Sequence, residues 1–266
     1  MVTGDDSWYP GAVHPLRHRL AVLLLLVGCG SASSSTYPPT TPGAGQDPSQ
    51  QGETGAGGGS GESPNAPPWE KIREEDGILV FRREVEGSPV VAFRGEGEIN
   101  APIARVALVQ MNMERGPEWI ERMKEGRVLE ARSDREFLTY SHIGAPPLVS
   151  DRDFVNQVQI EYDPPSRIKF NIHSVEDPKG PPTAGVRGKL IHSSFELTAL
   201  APDRTRIVCE IHADPKGALP KWVVNQFQKG WAFKTISRMR QQVQKGDLVE
   251  RAPQIRDLLA RNGFPL

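Results

Sequence analysis

From Gly126 to Ala213 the sequence repeats one pattern: a run of alternating apolar and polar residues, then turn formers. The runs are Gly126–Ser133, Glu136–His142, Asp151–Tyr162, Arg167–Ser174, Val186–Leu200 and Thr205–Ala213. Asp163-Pro164-Pro165 and Ala201-Pro202-Asp203 stand between consecutive members. Successive side chains on a strand point to opposite faces, so each run predicts a strand with one face buried. Connections this short cannot hold a parallel crossover, and the runs therefore predict an antiparallel meander. A sheet of this size curls under its own twist, and one face of it must be covered.

The cover comes from the two ends of the pattern. Upstream, Ile78–Glu84 and Val90–Ile99 alternate about Gly87-Ser88-Pro89, which reads as a hairpin. The segment WEKIREED before Gly77 is expected to form a short helix. Asn100-Ala101-Pro102 opens a second helix, with Asn100 as candidate N-cap and Ile103, Val106 and Leu108/Val109 at helical spacing. A third is expected over Glu114–Met123, around Trp119. Downstream, Pro220 to about Val243 reads as one long helix, roughly 36 Å at 1.5 Å per residue. On it Val224, Phe227, Trp231 and Met239 follow helical spacing, with Val223 and Ile236 beside them. The element order gives an α+β fold in which a curved antiparallel sheet is gripped by a long C-terminal helix. Such a grip can enclose a filled core or a cavity, and periodicity is the same for both.

The first part of the chain has another character. Arg17, His18 and Arg19 precede the apolar run Leu20–Val27, and Gly28-Cys29 closes it. Eight apolar residues span roughly 12 Å as a helix, too little for the ~30 Å hydrocarbon core of a bilayer, so a signal peptide is expected over residues 1–28. Leu26-Val27-Gly28-Cys29 resembles the lipobox of bacterial lipoproteins, which implies lipidation at Cys29 and a membrane-anchored place in the cell envelope. From there to about Pro68 the chain is Ser, Thr, Gly, Pro and Gln with few apolar residues. It cannot build a core and is expected to be a flexible tether over residues 29–68, roughly 35 Å in mean span. The folded domain is expected over 69–246, with 247–266 as a tail forming a short helix.

Chemistry is sparse. With 32 basic and 33 acidic residues the chain lacks the positive excess that a nucleic acid would need. His142, His173, His192 and His212 fall on different predicted strands, with no metal-ligand spacing among them, so no metal site is expected. No GxSxG, phosphate loop or dinucleotide-binding glycine pattern occurs, and nothing calls for a cofactor. Arg94-Gly95-Glu96-Gly97-Glu98 lies inside a strand, where a bulge is the expectation. Cys209, in a strand, is expected to be a small buried side chain.

Three stretches resemble one family. DPKGALPKWVVN at Asp214–Asn225, VSDRDFV at Val149–Val155 and DGILVFRREVEGSPVVAFRGEGEI at Asp76–Ile99 are similar to recurring segments of START lipid-transfer domains. The resemblance covers about Trp69 to Lys245, and the order of elements derived above matches that family's helix-grip order. It implies non-catalytic binding, by a monomer, of a lipid or other hydrophobic molecule in a tunnel between sheet and terminal helix. It further implies that Arg152 faces the tunnel, paired to a carboxylate on the preceding strand, for which Glu136 or Asp134 is the candidate. Val224, Phe227 and Trp231 would form a wall, and Asp177–Thr183 would border the mouth. Two other readings stay open: a small-molecule enzyme of cyclase or aromatase type on the same fold, and an interaction module with a filled core.

Overall fold

The computed structural model describes residues 67–219 and 221–266, apart from the side chains of 221–223 and 225–228. The leader, Cys29 and the tether lie outside the described residues.

Ten strands form one sheet. They are β1 (Glu70–Glu75), β2 (Ile78–Arg83), β3 (Ala92–Ile99), β4 (Met123–Ala131), β5 (Glu136–Ile143), β6 (Arg152–Asp163), β7 (Arg167–Ser174), β8 (Val186–Arg187), β9 (Lys189–Ala201) and β10 (Arg204–Asp214). The spatial order is β1-β2-β3-β10-β9-β7-β6-β5-β4. All of these neighbours are antiparallel, and only the two-residue β8 runs parallel, alongside β6. The chain-order meander from β4 to β7 is thus closed onto the N-terminal hairpin by β9 and β10.

WEKIREED is not a helix: Glu70–Glu75 is the edge strand β1. The reason lies just after it. Asp76 and Gly77 take φ of +51° and +67°, and Glu75 pairs with Ile78. That is a two-residue hairpin turn with both central residues left-handed, the conformation an Asp-Gly pair favours, and its pairing energy outweighs the weak helical pattern before it. Glu114–Met123 is likewise shorter than expected. A 3-10 helix covers Met113–Glu118, and Met123 already begins β4. Nor does Asn100 cap the helix α1 (Ile103–Met111), whose N-cap is Pro102.

The helix α2 (Lys221–Gln242) lies across β2, β3 and β10. Its residues Ala232, Thr235, Ile236 and Met239 are buried, a stripe of helical period, with Val243 just past its end also buried. Here the glycines of β3 have their use. The pairing of β3 with both neighbours runs without a bulge, against expectation. Instead, a Cβ at Gly95 would lie 3.0 Å from Ala232 Cβ and 3.1 Å from Cys209 Sγ, and one at Gly97 would lie 3.2 Å from Ile236. Gly95 and Gly97 let the helix sit down on the strand. Burial there pushes the Cys209 thiol up to about 12, so it acts as a small apolar filler.

A third helix, α3 (Pro253–Arg261), follows. Leu248, Ala252, Leu259 and Phe264 belong to the main hydrophobic core, so the segment set apart as a tail is integral to it. Gly263, at φ +87°, ends α3, and Phe264 turns back to donate its N–H to the Leu259 carbonyl at 2.9 Å. Its ring meets Tyr162 of β6 at 6.1 Å between centroids.

Candidate functional site

On β5 the residues Phe137, Thr139, Ser141 and Ile143 share one face of the sheet. On β6 their partners in register are Val158, Asn156, Phe154 and Arg152. Cavities sit at both ends of this ladder. The first, of about 200 Å³, lies where β5 ends and α2 begins. Ile143, Phe154 and Ile211 form its floor, and Val224 and Trp231 of α2 cover it. Gly144, Ala145, Pro146 and Val149, from the loop between β5 and β6, form its side. Trp231 is fixed by an edge-on contact with Phe195 at 6.0 Å. The second cavity, of about 460 Å³, lies at the other end, over Phe137, Thr139, Val158, Ile160, Phe170 and Ile172. It is bounded by Gln110 and Met111 of α1 and roofed by Ile255 and Leu258 of α3. From Ile143 to Phe137 is roughly 20 Å along an extended strand.

Arg152 does border the first cavity, but among the described residues it is not paired with a carboxylate. Its Nε donates to the Pro215 carbonyl at 3.2 Å, Nη2 donates to the Lys216 carbonyl at 3.1 Å, and Nη1 donates to the Ser150 carbonyl. The buried guanidinium thus ties the loop before β6 to the Asp-Pro-Lys-Gly turn before α2. That turn needs a tie, because Lys216 and Gly217 both have positive φ, +54° and +74°. Three carbonyls engage three of the guanidinium's five donors without the cost of burying a second charge.

Glu136 cannot reach it. It lies at the far end of β5, opposite Gln159, where it accepts from Gln157 at 3.1 Å and Arg132 at 3.2 Å. Asp134 is taken by Arg261 of α3 at 3.1 Å. Val224 and Trp231 line this first cavity, and the Phe227 side chain lies outside the described residues.

The carboxylate beside the arginine has a different task. Asp151 accepts from Lys124 at 2.6 Å, from the Ala145 N–H at 2.9 Å, and sits 2.8 Å from His142 Nε2. The lysine first, then the Ala145 amide and the histidine, hold this carboxyl well below the usual carboxylate range. It thereby fixes the loop that walls the cavity. At that loop's tip Leu148 is fully exposed, with φ +71°.

Asp177–Thr183 lines neither cavity. It folds over the opposite face of the sheet, where Asp177 binds Arg132 at 2.6 Å and Lys179 binds Glu130. Asp153, fully buried on that face, accepts from Arg187 at 2.9 Å, Thr183 at 3.0 Å and the Ala184 N–H at 3.0 Å. Burial raises its pKa, and these donors outweigh burial and leave it below the ordinary value. Adjacent residues of a strand face opposite ways, so Asp153 pulls the loop to the back while Arg152 serves the front.

The second cavity and its roof were not foreseen. The signal was present in Ile255, Leu258 and Leu259, spaced to make one apolar stripe on a helix.

The START domain family model matches residues 63–247. The chain belongs to the START domain family. A protein of Pseudomonas aeruginosa is 25% identical over 181 residues, covering 66% of this chain and 87% of that one. The structure of human StAR-related lipid transfer protein 5 superposes with a TM-score of 0.61 at 27% identity, covering 66% of this chain and 86% of that one. A STAR-related lipid transfer protein from Xanthomonas axonopodis gives 0.59 at 26% identity, covering 66% and 99%. The START match ends at residue 247, so α3, which roofs the second cavity, lies beyond it.

Proposed function

We propose that this START domain binds a lipid or other hydrophobic molecule, without chemical change, on the front face of β5–β6. The observation that carries this reading is the pair of mainly apolar cavities on one face of the ladder. Protein interiors pack as densely as organic crystals, and mainly apolar clefts of this size leave wall atoms without the contacts a ligand would supply. Shielding an apolar ligand from water returns about 25 cal/mol per Å². The names of the two solved relatives, both lipid transfer proteins, support the class of ligand.

Ligand passage is through the first cavity. Its walls are the two segments that Arg152 joins, so release of that tie would uncouple the start of α2 from the loop, which Asp151 continues to hold. An acyl chain on Cys29 would keep the domain beside the membrane of the cell envelope, with the tether setting its reach.

Ser88 Oγ lies 2.8 Å from His212 Nε2 and 2.9 Å from the Val90 carbonyl, and neither residue lines either cavity, so we read this Ser–His contact as structural.

The test is solvent extraction of the purified protein, followed by mass spectrometry and uptake of a fluorescent phospholipid from vesicles. A co-purifying lipid or saturable uptake supports the reading. Protein that carries no lipid and takes up none would overturn it.

A further inference from the structure

The cavity beneath α3 is a slot between two apolar surfaces. Its floor is the sheet, with Phe137, Val158, Ile160, Phe170 and Ile172 on neighbouring strands. The polar side chain among them, Thr139, gives its hydroxyl proton to the Asn156 carbonyl at 3.3 Å. Its roof is Ile255 and Leu258, and Met111 and Met113 stand at its side with Gln110, whose buried oxygen Oε1 no ligand group can reach. Ser133, Asp134, Gln254 and Arg261 are exposed and form the rim. A polar group carried between floor and roof would lose its water without finding a partner on either, so the part of a ligand held there is hydrocarbon.

Shape narrows that part to a chain. Val128 of β4 and Phe170 of β7 both line the slot, and their strands stand three spacings apart, about 14 Å. A volume of about 460 Å³ over that length leaves on the order of 30 Å² in section, room for one hydrocarbon chain and too little for two side by side. At about 30 Å³ per water-sized group, the slot holds on the order of 15 heavy atoms. Its roof is fixed as well. Leu259 and Phe264 are buried in the core, Phe264 meets Tyr162 at 6.1 Å, and Arg261 Nη2 lies 3.1 Å from Asp134. A roof held in this way gives the slot a definite capacity rather than one that grows with the ligand.

We propose that α3, which lies beyond the START match, selects the ligand by length: the slot takes one unbranched hydrocarbon chain of about 15 carbons, its polar end left outside, and Ile255 and Leu258 set that limit. The inference rests on the hydrophobic-ligand reading above and adds the class of ligand and the residues that choose it. Ligand sites usually exceed about 300 Å³, a mark that the slot passes and the first cavity, at about 200 Å³, does not. The first cavity is then the passage, and the slot is the holding site.

The test uses the full chain, cis-parinaric acid as fluorescent probe, and its displacement by straight-chain saturated fatty acids from decanoic to icosanoic. Affinity is expected to climb about fourfold per methylene while the slot fills, then to level off near pentadecanoic acid. Ile255→Trp should bring the levelling-off to shorter acids and Ile255→Ala should carry it to longer ones, with decanoic acid affinity unchanged in both. Opposite shifts from one position cannot both come from lost stability, and decanoic acid binding reports that each variant is folded. Val158→Phe, which fills the slot from the sheet side, should abolish binding of the probe and of the whole series with the far-UV spectrum intact. A levelling-off at one length in the wild type and both Ile255 variants, or none up to icosanoic acid, would overturn α3 as the selector and leave the hydrophobic-ligand reading in place. So would binding that survives Val158→Phe and is lost in Phe154→Trp, which puts the chain in the smaller cavity. A wild-type chain that binds neither the probe nor any of the acids, and takes up no lipid from vesicles, would overturn that reading as well.

Discussion

The two faces of β5 and β6 are finished in opposite ways. On the back, Leu138, Tyr140 and Val155 close into a small core under the loop that leads to β8. That loop is secured by Arg132–Asp177, Lys179–Glu130 and Arg187–Asp153. On the front, the same two strands carry Phe137, Thr139, Val158 and Phe154 beneath space that no side chain fills. The back spends its residues on holding the strands in register, and that support allows the front to remain underpacked. Stability and ligand capacity should therefore separate when each face is altered alone.

The strongest challenge to that separation is Asp153→Ala. It removes a fully buried carboxylate and strands Arg187, Thr183 and the Ala184 amide. A loss of about 3 kcal/mol is expected in urea denaturation, with probe affinity in the surviving folded protein unchanged. A matching loss of affinity would show that the faces are coupled.

Arg152→Met comes next, since it belongs to the front yet works by tying backbone. About 2 kcal/mol of stability should go with its three carbonyl bonds. Probe dissociation, followed by stopped flow, should quicken, because the loop and the start of α2 are no longer joined. Unchanged release kinetics would remove Arg152 from the gate.

Val158→Phe should have the reverse profile of Asp153→Ala. Filling space on the front is expected to raise stability by about 1 kcal/mol while binding disappears. A destabilised variant that still binds would mean that the cavity is not where the ligand lies.

The smallest effect is a pH dependence from the back face. Burial holds the imidazole of His212 below its ordinary 6.5. The unfolded chain therefore takes up the proton first. The contribution to stability is complete above about pH 6.5 and is lost as pH falls toward the folded value. The urea midpoint should drop between about pH 7 and pH 5, and His212→Gln should flatten that drop without moving probe affinity.

Much of this was legible in the chain because it rests on local pattern. Alternation marked the strands from β4 to β10, and turn clusters set most of their ends. Spacing put Val224 and Trp231 on one face of α2, but it did not say whether that face meets a core or a cavity. What was not legible depended on partners distant in sequence. The wish for a counter-ion suggested Glu136 for Arg152, but the register of β5 against β6 puts them at opposite ends, and carbonyls 63 and 64 residues away meet the need instead. The glycines of β3 looked like a bulge because α2, the element that requires them, comes more than a hundred residues later. The roof α3 was set aside as a tail, since nothing local says that Phe264 will meet Tyr162.

The seating of α2 on Gly95 and Gly97 bears on how the protein opens. Near the same end of the helix, Arg240 donates to the carbonyls of Glu98 and Asp76 at 2.8 and 2.7 Å. On the reading proposed above, a ligand that enters between the sheet and the start of α2 would have to loosen the Arg152 tie to the turn before the helix, while the close seating of Ala232 and Ile236 on Gly95 and Gly97 stays in place.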